Sequence, residues 1–202
     1  MGKRSNFKRR KNDLYETWDP RALPPLLPHL ELGAVFDEPC AGAGRLSDQL
    51  EQAGMMPRVL SDIDPLDRRV MKCYAFQYAP DPAPDYIITN PPWSRDLLHP
   101  LIAHFSNYAP TWLLFDAAWA FTSQSRMHKR GLGSVPEIMR RCVKIVTVGR
   151  LKWIEGSEHD AKDDVAWYLF DCHHSGAPPQ FFPKLQQTPN LKEIKHHEKS
   201  TI

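Results

Sequence analysis

Three places in the chain put chemically capable residues where an α/β sheet would meet a ligand. The apolar run Tyr86-Ile87-Ile88-Thr89 ends abruptly in Asn90-Pro91-Pro92-Trp93. Its β-branched residues suit a buried strand, and proline cannot donate to a sheet ladder, so the strand must stop at Asn90. A carboxamide, a rigid turn and an indole therefore follow one another at a strand's carboxyl end, where open α/β sheets bind their ligands. A second strand end is predicted at Glu38-Pro39-Cys40-Ala41-Gly42-Ala43-Gly44, where Gly42 and Gly44 let the backbone approach a ligand that a Cβ would obstruct. The third is Asp62-Ile63-Asp64, less than two dozen residues further on, whose carboxylate can accept hydrogen bonds from ribose hydroxyls. This is the chemistry of nucleotide binding. Ser47, however, stands where a dinucleotide fingerprint has its third glycine, which speaks against NAD or FAD.

Strands and helices must position these groups. Ala34-Val35-Phe36-Asp37 reads as the first buried strand, and Arg45 to Ala53 as a helix, with Leu46 and Leu50 at i, i+4 spacing and Gly54 as the stop. Arg58-Val59-Leu60-Ser61 is the next strand, and a helix is expected over Leu66 to Tyr74 before the proline-rich turn at Pro80 to Pro84. After Trp93, Leu97, Leu98, Leu101, Ile102 and Phe105 predict an amphipathic helix within Asp96 to Tyr108, then a strand over Thr111 to Asp116. A helix start at Ser134-Val135-Pro136-Glu137 precedes Lys144 to Val148 and Asp164 to Phe170, two β-rich runs expected to pair antiparallel. Upstream, Asp19-Pro20 suits a helix start, and a short helix over Arg21 to Leu32 is expected to be broken by Pro24, Pro25 and Pro28.

The chain has 202 residues, enough for one domain with a real core. Its net charge of +2 does not demand a polyanionic partner, but the distribution is uneven. Lys3, Arg4, Lys8, Arg9, Arg10 and Lys11 form an acid-free basic arm, and Arg126, Lys129 and Arg130 fall in a second basic stretch at the sheet's expected carboxyl edge; both are candidates for phosphate contact. Cys40, Cys73, Cys142 and Cys172 show no CxxC pair, so they read as reduced thiols of a cytoplasmic protein, with no metal expected; His173-His174 and His196-His197 read as surface histidines. No apolar run approaches the ~18 residues of a membrane span. The expected organisation is a flexible basic arm over 1–12, one domain over 13–172, and a proline-rich, polar tail, extended and disordered, over 173–202.

Assembled, these residues resemble the S-adenosylmethionine-dependent amino-methyltransferases that modify exocyclic amines of nucleic-acid bases, in particular small phage-type DNA adenine N6-methyltransferases. Asn90-Pro91-Pro92-Trp93 is similar to their catalytic (Asn/Asp/Ser)-Pro-Pro-aromatic motif, although Trp is less frequent than Tyr or Phe in the last place. Glu38 to Gly44 resembles their methionine-binding turn, Asp62 their ribose-binding acid, and Tyr15-Glu16-Thr17 the stretch that closes over the cofactor, with Trp18 where a proline is usual. The resemblance covers residues 13–172.

It implies a Rossmann-like class I methyltransferase fold with a mostly parallel central sheet and an antiparallel strand near the C-terminus. It further implies S-adenosyl-L-methionine as cofactor, bound by Tyr15, Thr17, Glu38, Cys40, Gly42, Gly44, Asp62, Ile63 and Asn90, and catalysis by Asn90, Pro91, Pro92 and Trp93. Lys8, Arg9, Arg10, Arg126, Lys129 and Arg130 would contact nucleic acid, in the cytoplasm of a bacterium or of a phage-infected host. The expected reaction is methyl transfer to adenine N6 in DNA, on a base flipped out to stack on Trp93, with Asn90 Oδ1 and the Pro91 carbonyl each accepting one amino hydrogen. No separate target-recognition region is left over, so limited sequence specificity is expected. Cytosine N4, RNA adenine and a protein glutamine amide are alternative acceptors, and a methyltransferase-like binding module without turnover is the alternative of another class.

Overall fold

The computed structural model describes residues 15–121 and 135–184. Its strands are β1 (Val35–Glu38), β2 (Met56–Asp62), β3 (Met71–Lys72), β4 (Tyr86–Thr89), β5 (Thr111–Asp116), β6 (Cys142–Gly149), β7 (Val165–Phe170) and β8 (Gln180–Phe182). Its α-helices are α1 (Arg45–Gln52), α2 (Arg95–Phe105) and α3 (Val135–Arg140). Among the described residues the strands form one sheet in the order β3-β2-β1-β4-β5-β7-β6-β8. Neighbours are parallel except at β7, which runs antiparallel to both β5 and β6. The chain steps outward from β1 to β2 and β3, then returns to the other side of β1 for β4 and β5. This reversal opens a crevice at the carboxyl ends of β1 and β4, where the three candidate groups stand.

Side chains of the central strands are buried on both faces of the sheet, as parallel sheets require. Along β5, Trp112 and Leu114 join one core with Phe36, Leu46, Leu50 and Trp167, while Leu113 and Phe115 join the other with Ile87, Leu98, Phe105 and Tyr168. Phe115 and Tyr168 stack across β5 and β7 with ring centroids 4.1 Å apart. Both rings are fully buried, and removing each from water is worth about 1.5–3 kcal/mol. A charged group is buried beside this core: Asp37 is 0% exposed and accepts hydrogen bonds from Arg58 Nε at 3.0 Å, Val59 N at 3.1 Å and the Tyr78 hydroxyl at 2.7 Å. Burial, and then the Asp37 carboxylate, push the Tyr78 phenol above its usual range, so it stays protonated and donates.

Two expectations are corrected. The stretch 66–74 is not a helix: Leu66 and Tyr74 stay exposed while Val70 alone is buried, so the i, i+4 spacing creates no buried face. Asp67 instead closes a tight turn, accepting from Arg69 N at 2.8 Å, and the chain then pairs as β3 against β2. Past residue 172, β8 adds to β6 in parallel, and Phe182 packs on the core and edge-on to His29 at 4.4 Å. The sheet therefore extends beyond the boundary expected from proline content, and 180–182 is ordered. At the other end, the proline-broken segment forms two 3₁₀ turns, Pro20–Ala22 and Leu27–His29, the first capped by Asp19.

Candidate functional site

The carboxyl ends of β1, β2 and β4 enclose a pocket of about 360 Å³. Tyr15, Thr17, Glu38, Cys40, Gly42, Asp62, Ile63, Asn90 and Pro92 all line it, although the sequence spreads them over more than seventy positions. Gly44 does not line it; it sits at the start of α1 with φ +75°, the left-handed conformation that lets the turn enter the helix. Pro91 is buried and Trp93 half-buried, and neither lines the pocket. Lys8, Arg9, Arg10, Arg126, Lys129 and Arg130 lie outside the described residues.

Backbone and carboxylates fix the glycine turn. Gly42, at φ +53°, donates its N–H to Asp62 Oδ2 at 2.9 Å, and its carbonyl accepts from Leu66 N at 3.0 Å. Asp62 Oδ1 accepts from Asp64 N at 2.8 Å, so each oxygen of this carboxylate keeps capacity for one further donor. Glu38 is 2% exposed, and its Oε2 is buried without a hydrogen-bond partner. Burial pushes its carboxyl well above the ordinary 4.5, the Ser47 N–H opposing and the nearby Asp62 and Asp48 charges adding to the rise. The Cys40 thiol is likewise raised by burial first and then by the Asp62 charge, so it lines the pocket protonated rather than as a nucleophilic thiolate.

Asn90 is bonded on both sides of its carboxamide. Nδ2 donates to the Tyr15 carbonyl at 2.8 Å and to Thr17 Oγ1 at 3.0 Å, while Oδ1 accepts from Trp93 Nε1 at 3.0 Å. A carbonyl can only accept and an indole N–H can only donate, so these partners fix which way the amide points. Residues 15–17 form a strap over the pocket that is also tied to the glycine turn and to α1. Glu16 Oε1 accepts from Ala43 N at 3.1 Å, and the Thr17 carbonyl from Gln49 Nε2 at 2.8 Å. The Trp93 ring meets Trp153 edge-on, with centroids 5.4 Å apart at 88°. Trp119 is buried in the core, and Phe121 is 89% exposed.

Glu16, Arg45, Tyr74, Phe76, Leu97 and Leu101 also line the pocket, beyond the residues that the motifs point to. Glu16 belongs to the Tyr15-Glu16-Thr17 stretch, the spacing of the leucines marks them as core, and Tyr74 and Phe76 follow β3, where the spacing predicts a helix instead. Among the described residues, Asp171, Cys172 and His173 bring one potential metal-ligand atom each within 4.8 Å of one another. The Asp171 carboxylate there already accepts the His173 N–H at 2.8 Å in a local turn.

The sheet order, the glycine turn after β1 and the acid after β2 define a Rossmann-like methyltransferase fold. No protein-family model and no curated protein matches the chain; solved structures do. The type I restriction-modification system methyltransferase subunit from Streptococcus thermophilus is 8% identical, with a TM-score of 0.54, over 90% of this chain and 52% of that one. The chain thus spans about half the length of that subunit. A dimethyladenosine transferase from Plasmodium falciparum is 16% identical over 73% and 60% of the two chains, with a TM-score of 0.43. Precorrin-6y C5,15-methyltransferase from Geobacter metallireducens is 13% identical over 75% and 87%, with a TM-score of 0.45. At these identities the likeness is one of fold, and function has to be argued from the site.

Proposed function

We propose that the protein transfers a methyl group from S-adenosyl-L-methionine to the exocyclic N6 amine of adenine in DNA. The observation that carries this reading is the convergence of Glu38, Asp62 and Asn90 on one pocket, with a buried Glu38 oxygen left without a partner. An orphaned buried acceptor suits a cationic amine, the Asp62 oxygens suit ribose hydroxyls, and Ile63 and Phe76 offer apolar surface to a purine ring. The residues present therefore fit this cofactor, which when bound supplies an electrophilic sulfonium methyl.

An adenine amine is a poor nucleophile because its lone pair is delocalised into the ring. Asn90 Oδ1 keeps an acceptor site beyond its bond to Trp93, and the Pro91 carbonyl has two lone pairs. Each takes one amino hydrogen, favouring a pyramidal nitrogen, and both bonds strengthen as positive charge grows on that nitrogen, which is what lowers the barrier. Pro92 holds the turn rigid. Trp93 stacks the extruded base once its ring offers a face, an interaction worth about 1–3 kcal/mol per base against the few kcal/mol that flipping costs. The likeness to a restriction-modification methyltransferase subunit and the basic arm both support DNA as the polymer.

The test is incubation with isotopically labelled cofactor and unmethylated DNA or RNA, followed by nucleoside analysis. Labelled N6-methyladenine from DNA is expected, with Asn90→Ala slowed about 10²–10³-fold, the usual effect of removing one preorganised transition-state partner. Label only in RNA or in cytosine would reassign the acceptor. Equal rates for wild type and Asn90→Ala would remove the catalytic role.

A further inference from the structure

Trp93 stands in the place where a base-stacking aromatic is expected, yet its clearest interaction runs the other way, through its N–H to Asn90 Oδ1 at 3.0 Å. The same carboxamide holds the strap through Tyr15 O and Thr17 Oγ1. Tyr15 and Thr17 line the pocket, whereas Trp93 does not. One amide group thus links a side chain outside the pocket to the segment that covers it. Phe or Tyr in that place would stack a base equally well but carries no indole N–H.

We infer that Trp93 is a positioning residue for the cofactor pocket: its indole N–H orients the Asn90 carboxamide, which in turn holds the Tyr15–Thr17 strap closed over the cofactor. A base that draws the Trp93 ring into a stack then acts on the same carboxamide, and by linkage the cofactor alters the affinity for the base to the same degree. With the indole gone, Oδ1 loses its partner and the Asn90 carboxamide is held from the strap side alone. The strap bonds must then order the carboxamide unaided, so cofactor binding weakens although no lining residue has changed. The inference rests on the proposed cofactor.

The experiment measures S-adenosylmethionine binding by calorimetry for wild type, Trp93→Phe, Thr17→Val and the double variant, with thermal melting to establish that each folds. The expected result is binding about five-fold or more weaker in Trp93→Phe. The double variant should be no weaker than the product of the two single losses predicts, and measurably tighter than it, because both substitutions break one chain of contacts. A spectroscopic signature accompanies it: the indole N–H proton resonance missing from the Trp93→Phe spectrum should move when the cofactor is added to wild type. Wild-type binding with an unchanged constant in Trp93→Phe, or strictly multiplicative losses, overturns the inference alone. If wild type binds no S-adenosylmethionine at all, the cofactor reading falls, and the inference with it. Should Trp93→Phe fail to fold, Trp93→Tyr, which also lacks the indole N–H, takes its place both in the cycle and in assigning the resonance, and a stationary resonance still overturns the proposal.

Discussion

Glu38 has one oxygen in contact with the Ser47 N–H and the other with nothing, so burial keeps it protonated well above 4.5. An acid whose folded pKa is raised contributes its stability below the unfolded value and loses it as pH climbs toward the folded one. Replacing it with the neutral, isosteric Glu38→Gln should therefore raise the melting temperature of the ligand-free protein, by an amount that grows as the pH rises above the ordinary 4.5 toward the raised folded value. The same residue predicts a proton released on cofactor binding, because an ammonium beside Oε2 favours the ionised acid. Calorimetry in buffers of different ionisation heat should detect that proton in wild type and not in Glu38→Gln. Asn90 shows where a single residue exceeds what sequence can tell. Its type and place at a strand end are readable from the two prolines that follow it, but the direction of its amide depends on a carbonyl and a hydroxyl more than seventy positions away.

Among the elements, β4 and β5 have the bounds expected of them, because each is an apolar, β-rich run set off by proline, Pro91 just beyond β4 and Pro110 just before β5. The helix expected over 66–74 failed for the converse reason. Its spacing was helical, but a pattern is informative only if a neighbouring layer buries it, and this stretch lies at the sheet's outer edge, beside β3. The short β8 was hidden by the prolines around it, and the insertion of β7 between β5 and β6 follows from long-range pairing that local pattern does not encode. The join between β1 and β2 also depends on a buried charge. Removing Asp37 leaves Arg58 and the Tyr78 hydroxyl without their shared acceptor, and breaking one side of a buried pair costs about 3–5 kcal/mol. Asp37→Ala should thus melt about 6–20 °C lower than wild type, at the 2–4 °C per kcal/mol typical of a chain this size. A loss indistinguishable from that of an exposed control such as Asp163→Ala would contradict the account.

At the scale of the whole molecule, the described residues contain no helix long and apolar enough to cross a membrane, and the proposed polymer contact rests on charge distribution. Deleting residues 1–12 removes Lys3, Arg4, Lys8, Arg9, Arg10 and Lys11. If the arm binds phosphates, the plot of log affinity for DNA against log salt should become shallower by up to about 5, with methyl transfer from bound complexes unchanged. An unaltered slope would show that the arm makes no phosphate contact. The order in which the chain is made adds a last consequence. The strap at 15–17 leads directly into a segment held by late parts of the sequence: Asp19 accepts from Lys152 N at 2.8 Å, and Trp167 Nε1 donates to the Ala22 carbonyl at 2.8 Å. During synthesis the glycine turn and Asn90-Pro91-Pro92-Trp93 leave the ribosome long before β7 does. The nascent chain then has the groups of the pocket and the partners of the strap at Ala43, Gln49 and Asn90, but not the late anchors of Asp19 and Ala22 just behind it. The end of the protein thus reaches back to brace its start, and a chain interrupted before residue 152 would carry every motif of the site and lack both anchors behind the strap.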